Sequence, residues 1–172
     1  MKASAVVISG VFILGHMPMQ LFCQTAQEEG KCLAEYRFNG EKVVLTEKEW
    51  KERLALEQFK VLRKAATERA FHNAYFDNEQ EGIYLCAGCS LPLYSSDAKY
   101  DSTTGWPSFW RPICAENVSY REDHHLFTTR TEVICSRCEG HLGHLFNDGP
   151  PPTGKRYCMN SAALKFVLQK VQ

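Results

Sequence analysis

The segment Arg156-Tyr157-Cys158-Met159-Asn160 sets a cysteine between a guanidinium and an amide, and His141-Leu142-Gly143-His144-Leu145-Phe146 lies shortly upstream. On a β-strand successive side chains alternate faces, so Arg156, Cys158 and Asn160 would share one face and Tyr157 and Met159 the other. A thiol beside a cation and near imidazoles should be held below its usual pKa, and the thiolate is the reactive form. A histidine can act as a general acid near neutral pH. His141 and His144 could equally be core histidines or ligands of a metal. The chemistry on offer is that of a cysteine nucleophile. The approach to it, Asn147 to Gly154, carries Pro150, Pro151 and Pro152, which restrict φ and stiffen the loop. Gly105-Trp106-Pro107-Ser108-Phe109-Trp110 is a compact aromatic turn. Such a cluster packs a core, or beside a reactive cysteine offers a face to a methyl or thioether group.

Eight cysteines invite the question of what the others do. Cys86, Cys89, Cys135 and Cys138 form two C-x-x-C pairs, with residues 90–134 between them. The gap is too long for a local finger, so two remote hairpin tips must be brought together by the fold. Four thiolates at tetrahedral geometry hold one structural Zn2+ and leave no open position for catalysis. Two disulfides, or a redox C-x-x-C, are the competing readings. The redox one needs a βαβ context that the sequence lacks. Ile83-Tyr84-Leu85-Cys86-Ala87-Gly88-Cys89 and Glu132-Val133-Ile134-Cys135-Ser136-Arg137-Cys138 echo each other, each an apolar strand running into a knuckle.

The elements that must position these groups follow from local pattern. Thr46-Glu47-Lys48-Glu49 is a capping box that opens a helix with Trp50 and Leu54 on one face. A second helix runs about 57–66, with Phe59, Leu62 and Ala66 aligned. From Gly82 onward short β-type runs alternate with turn residues: 83–86, 91–94, 126–129, 132–134, 144–146, 156–160 and 164–168. That texture predicts an antiparallel β domain behind N-terminal helices. His124-His125, in a charged stretch, reads as a solvated loop. Residues 1–23 pair Lys2 with a short apolar run, the pattern of an export signal, with cleavage near Cys23 to Ala26. Residues 24–40, polar and containing Cys32, read as a linker or loose arm, and 41–172 as one domain. The expected destination is periplasmic or secreted. The chain has 172 residues, with 20 Lys and Arg balancing 20 Asp and Glu and no basic stripe, which argues against a nucleic-acid partner such as a zinc-ribbon protein would take.

Taken together these segments resemble the B-type methionine sulfoxide reductases, over about residues 43–166. The matching pieces include Glu81-Gly82-Ile83-Tyr84, Lys99-Tyr100-Asp101-Ser102, Gly105-Trp106-Pro107-Ser108-Phe109, Arg130-Thr131-Glu132-Val133, His141-Leu142-Gly143-His144, Asp148-Gly149-Pro150 and Arg156-Tyr157-Cys158. The resemblance implies two antiparallel sheets with a four-cysteine zinc site. It implies that Cys158 attacks the sulfur of methionine-R-sulfoxide in oxidised proteins and becomes a sulfenic acid, a protein-repair reaction under oxidative stress. His141, His144 and Asn160 would bind and protonate the sulfoxide oxygen. Trp106 would cradle the methyl group, and Phe146 and Arg156 would shape the thiol's surroundings. A thioredoxin-like or other thiol would regenerate a monomeric enzyme. The family's usual second cysteine is missing: Thr104 stands at one of its places and Ala70-Phe71-His72 at the other. Cys114 and Cys32 are the remaining candidates for a resolving thiol, against direct attack by an external one. The competing class is a zinc-stabilised protein-binding module without activity.

Overall fold

A computed structural model describes residues 32–125 and 128–169. The expected export signal lies outside the described residues. The described residues make two α-helices, α1 (Glu47–Arg53) and α2 (Leu56–Lys64), and nine strands. The strands are β1 (Gly82–Cys86), β2 (Pro92–Ser95), β3 (Lys99–Tyr100), β4 (Ser108–Phe109), β5 (Val118–His125), β6 (Thr128–Cys135), β7 (His141–Phe146), β8 (Arg156–Met159) and β9 (Leu164–Leu168). They form a three-stranded sheet, ordered β2-β1-β9, and a six-stranded sheet, ordered β3-β4-β8-β7-β6-β5. Every pairing is antiparallel. The expected mainly β architecture of two antiparallel sheets behind N-terminal helices is present.

Local chemistry accounts for the helices. Thr46 caps α1 through the Glu49 amide, and the Glu49 carboxylate accepts from the Thr46 amide at 2.7 Å, a complete capping box. α2 ends where Ala65 turns left-handed, and buries Phe59, Val61 and Leu62. In β8 the alternation is as expected: Tyr157 and Met159 are buried, while Arg156 and Cys158 face the other way. The buried pair anchors the strand. Tyr94 donates to Met159 Sδ at 3.2 Å and stacks on Phe109, ring centroids 4.4 Å apart. Cys158 is therefore carried by a strand whose opposite face is locked into an aromatic core.

Two expectations fail. The stretch containing His124 and His125 is not a loop but the end of β5, paired with β6 over eight residues. Its charges are tolerable because β5 is a sheet edge with one side open to water. The segment before Gly40 is not loose from Cys32 onward. Cys32 and Cys114 form a disulfide with Cα atoms 4.9 Å apart. Buried Asn117 then grips the arm: it accepts from the Phe38 amide at 2.9 Å and donates to Tyr36 O at 2.7 Å and to Pro92 O at 2.6 Å. Of the strand expected at 126–129, residues 126 and 127 lie outside the described residues, and Thr128 and Thr129 open β6.

Candidate active site

The register of the large sheet sets a row of side chains across all six strands. Tyr100 opposes Ser108, Ser108 opposes Cys158, Cys158 opposes His144, His144 opposes Glu132, and Glu132 opposes Arg121. Directly opposed residues project from the same face, so this is one continuous strip of chemistry. His141 joins it by a register shift. β7 carries one extra residue against β6, so that Val133 pairs with Gly143 but Ile134 pairs with His141. Simple alternation would set residues three apart on opposite faces, and a β-bulge re-aims the side chain. The two imidazoles lie edge to face, 5.3 Å between centroids. Gly143 between them serves a close approach rather than the tight turn its sequence suggests. A Cβ there would stand 2.1 Å from the Cys158 carbonyl oxygen.

Each histidine has a carboxylate partner. His141 Nδ1 lies 2.6 Å from Glu132 Oε1, and both side chains are buried, at 2% and 5% exposure. His144 Nε2 lies 2.8 Å from Asp123 Oδ2. Arg121 pairs with Glu132, and Arg130 reaches Asp123 Oδ2 at 2.6 Å. A carboxylate accepts, so these bonds leave His141 Nε2 and His144 Nδ1 as the ring acceptors. His141 Nε2 is buried without a protein partner. Burial lowers the His141 pKa, against the pull of Glu132 and its bond, which favours the neutral ring. Burial works to raise the Glu132 pKa, but its bonds from Arg121 and His141 prevail and hold it below the usual carboxylate range.

The thiol itself departs from the simple expectation. Burial pushes the Cys158 pKa up, outweighing the downward pulls of Arg156 and of the Thr104 and Ser108 hydroxyls. Arg156 is the largest of these downward pulls, yet burial outweighs it; the guanidinium also grips Asp148 through two bonds of 2.8 Å. Its guanidinium also lies 4.3 Å from the centroid of the Phe146 ring, so these two side chains form one wall beside the thiol. Asp148 belongs to the proline loop, which is closed by two backbone bonds of 3.0 Å, from the Gly149 amide to Gly154 O and from the Gly154 amide to Pro150 O. On the other side runs a chain of hydroxyls, Thr104 to Ser102 at 2.8 Å and Ser102 to Ser108 at 2.7 Å. Thr104, the residue at one of the usual second-cysteine places, therefore sits against Cys158.

Trp106 is oriented from a distance. Its indole N–H donates to the Glu68 carbonyl at 3.2 Å. The Glu68 carboxylate accepts from the Ser161 and Ala162 amides, just after the Cys158 strand, the latter at 2.8 Å. Burial raises the Glu68 pKa despite those bonds. Asn160 lies past the end of β8 and is buried. Its Nδ2 donates to Leu142 O at 3.1 Å and its Oδ1 accepts from the Glu68 amide at 3.1 Å. One hydrogen of Nδ2 is left for another acceptor. Sequence reasoning passed over Glu132, Asp123, Glu68, Ser108 and Ser102. A trace was visible for Glu132, a carboxylate directly before the apolar Val133-Ile134 of a strand.

The other candidate centre forms as expected. Cys86, Cys89, Cys135 and Cys138 are buried with all four Sγ atoms within 4.8 Å of one another. The Cys86–Cys138 and Cys89–Cys135 sulfurs are 3.6 and 3.5 Å apart. Four thiolates around one ion at Zn–S distances of about 2.3 Å would be about 3.8 Å apart, so the set can hold a metal ion. The two knuckles are built alike. Ser90 and Glu139, each directly after the second cysteine, have φ of 60° and 59°, and each donates back to the first cysteine's carbonyl at 2.8 Å. β1 and β6 belong to different sheets, so an ion here staples one sheet to the other. Cys32 and Cys114, the two candidate resolving thiols, are instead bonded to each other. Among the described residues Cys158 is then the one free thiol outside the metal cluster.

Among the described residues this is a two-sheet protein with a four-cysteine cluster able to hold a metal ion and, apart from it, one half-buried free thiol. The chain belongs to the SelR domain family, whose model matches residues 54–168. It is similar to proteins named peptide methionine sulfoxide reductase MsrB. The one from Thiobacillus denitrificans is 53% identical over 121 residues, covering 70% of this chain and 92% of that protein. The one from Herminiimonas arsenicoxydans is 52% identical over 126 residues, covering 73% and 92%. The chloroplastic reductase B1 of rice is 50% identical over 129 residues, covering 74% of this chain and 59% of that protein.

Proposed function

We propose that this protein is a peptide-methionine (R)-S-oxide reductase. The carrying observation is the strip in which Ser108, Cys158, His144 and Glu132 oppose one another, with His141 bulged onto the same face. Cys158 Sγ attacks the sulfoxide sulfur. The S–O bond of the sulfoxide breaks, methionine leaves, and the oxygen ends on Cys158 as a sulfenic acid. The substrate sulfur is reduced by two electrons and the cysteine sulfur is oxidised by two. No net proton is needed, because the thiol's own proton becomes the sulfenic hydroxyl. A Cys158 whose pKa is raised by burial carries that proton in the resting state. His144 and His141, each oriented by a carboxylate, pass it from sulfur to oxygen. Asn160 offers its remaining amide hydrogen to the oxygen, Trp106 holds the methyl, and Phe146 with Arg156 closes the thiol's side.

Two equivalents of an external thiol then return Cys158 to the thiol, with release of water and formation of their disulfide. A thioredoxin-like protein suits this step, and the Cys32–Cys114 pairing favours direct attack over an internal resolving thiol. The metal of the four-cysteine cluster is one structural Zn2+. The enzyme acts as a monomer on oxidised proteins. Export to an oxidising compartment is part of the same reading, supported by the apolar stretch behind Lys2 and by the disulfide. The test is a pair of peptides carrying methionine-R- or methionine-S-sulfoxide, with dithiothreitol. Only the R form should be reduced, and Cys158→Ser should abolish turnover with fold and zinc intact. R-sulfoxide reduction by the purified variant would sink the mechanism. No reduction by the wild type would favour the inactive binding module.

A further inference from the structure

Beyond Trp106 the surface opens into a groove of about 630 Å³. That is the size of a ligand site, about 300–1,000 Å³, and far more than a thioether methyl needs. Its walls are aromatic: Phe71, Phe76, Tyr100 and Trp106. Phe71 is 55% exposed, yet it is fixed in place. Its amide donates to Gly105 O at 2.9 Å, and its ring meets Phe76 edge to face at 5.9 Å. Gly105 has no room for a side chain, since a Cβ there would stand 2.7 Å from that ring. The rim adds three exposed carboxylates, Asp77, Glu79 and Asp101, against one ammonium, Lys99, which donates to Phe76 O at 3.1 Å. Three negative charges and one positive leave the groove at −2. Tyr100 is shared with the catalytic strip, and Trp106 with the methyl site, so the groove is continuous with the place of the reacting sulfur.

We infer that this groove binds a basic side chain, lysine or arginine, next to the oxidised methionine in the substrate chain. The inference rests on the reductase reading above. Aromatic faces attract ammonium and guanidinium groups, and the carboxylate rim repels an acidic neighbour. The apolar stem of the basic residue would lie along Phe71 and Phe76 with its charge among Asp77, Glu79 and Asp101. The groove thereby selects oxidised sites in basic segments of protein chains.

The experiment uses three pentapeptides, each with methionine-R-sulfoxide flanked on both sides by lysine, by glutamine or by glutamate. The wild type should reduce the lysine peptide with a kcat/KM about tenfold above the glutamate peptide at low salt, as two or three screened charge contacts allow. The difference should sit in KM and shrink at high salt. In Asp77→Asn/Glu79→Gln/Asp101→Asn the ratio should fall to within about twofold, while Asp77→Lys/Glu79→Lys should reverse it. Calorimetric binding of the same peptides to Cys158→Ser reads the groove without catalysis, and should give the same order. Equal kcat/KM for lysine and glutamate peptides in an active wild type, or a ratio that survives the neutral triple variant, overturns the groove proposal alone. Ordered binding without any reduction would uphold the groove and overturn the reductase reading. Equal binding to Cys158→Ser overturns the groove.

Discussion

Glu132→Gln removes one charge from the catalytic strip and almost no volume. In the wild type the carboxylate accepts from His141 Nδ1 at 2.6 Å and from Arg121. Hydrogen bonds to a charged group contribute about 1.5–3 kcal/mol net, against about 1 for neutral pairs. Arg121 is 55% exposed, so its share is a screened surface contribution below about 1 kcal/mol. The expected loss is about 2 kcal/mol of stability, or about 7 °C in Tm for a domain of this size. The catalytic loss should be separate. A glutamine can present its NH2 to Nδ1, which moves the imidazole proton to Nε2 and takes away the acceptor. General acid–base catalysis is worth about 10²–10⁴-fold, so kcat should fall about 100-fold, or about 2.7 kcal/mol of barrier. The signs with pH follow from the shifts. Burial lowers the His141 pKa and Glu132 partly opposes it, so losing that charge should lower it further and move the acid limb of the kcat profile to lower pH. Glu132 is held below its unfolded pKa, so its stabilisation is complete above the unfolded value and is lost as pH falls through the folded one. The Tm gap between wild type and variant should therefore be full at pH 7, begin to shrink as pH falls below about 4.3, and close only below the lower folded pKa. Steady-state reduction of a methionine-R-sulfoxide peptide from pH 5 to 9, beside melting curves, tests both halves. A Tm that drops as expected with kcat within twofold and an unmoved acid limb would reduce Glu132 to a packing residue.

Cys135→Ser should lose the bound metal and melt far below the wild type, since structural zinc can supply on the order of 10 kcal/mol of folding free energy. Zinc content and a melting curve decide it, and normal zinc would remove Cys135 from the site. Trp106→Ala should lower kcat/KM at least about tenfold, because sulfur–aromatic contacts are worth up to about 1.5 kcal/mol and pocket shape is lost as well. An unchanged kcat/KM would return Trp106 to core packing. Single-turnover thiol counting on the wild type should find one titratable thiol lost. Thr104→Cys should raise the loss to two, because Thr104 lies against Cys158. A two-thiol loss in the wild type that vanishes in Cys114→Ser would make Cys114 the resolving thiol after all.

Much of this protein is legible in the chain because its signals are local. The capping box at Thr46, the alternation in residues 156–159 and the strand-into-knuckle echo at Cys86 and Cys135 each depend on a few neighbouring residues. What the sequence could not convey depends on pairing partners. An alternation rule separates His141 from His144. The bulge against Val133 and Ile134 brings them together, and that shift exists only between two strands. The charged run through Asp123 looks like a loop until β6 lies beside it and turns Asp123 toward His144. The thiol's pKa fails for the same reason. Arg156 beside Cys158 suggests a lowered value, but the fold strips water from the sulfur, and that burial outweighs the guanidinium. Residue type and spacing marked out the candidate thiol and histidines, and the four cysteines that can hold a metal ion. Burial, register and the partners of each charge are properties of segments far apart in the chain, so only the tertiary structure decided the protonation states and the shared face.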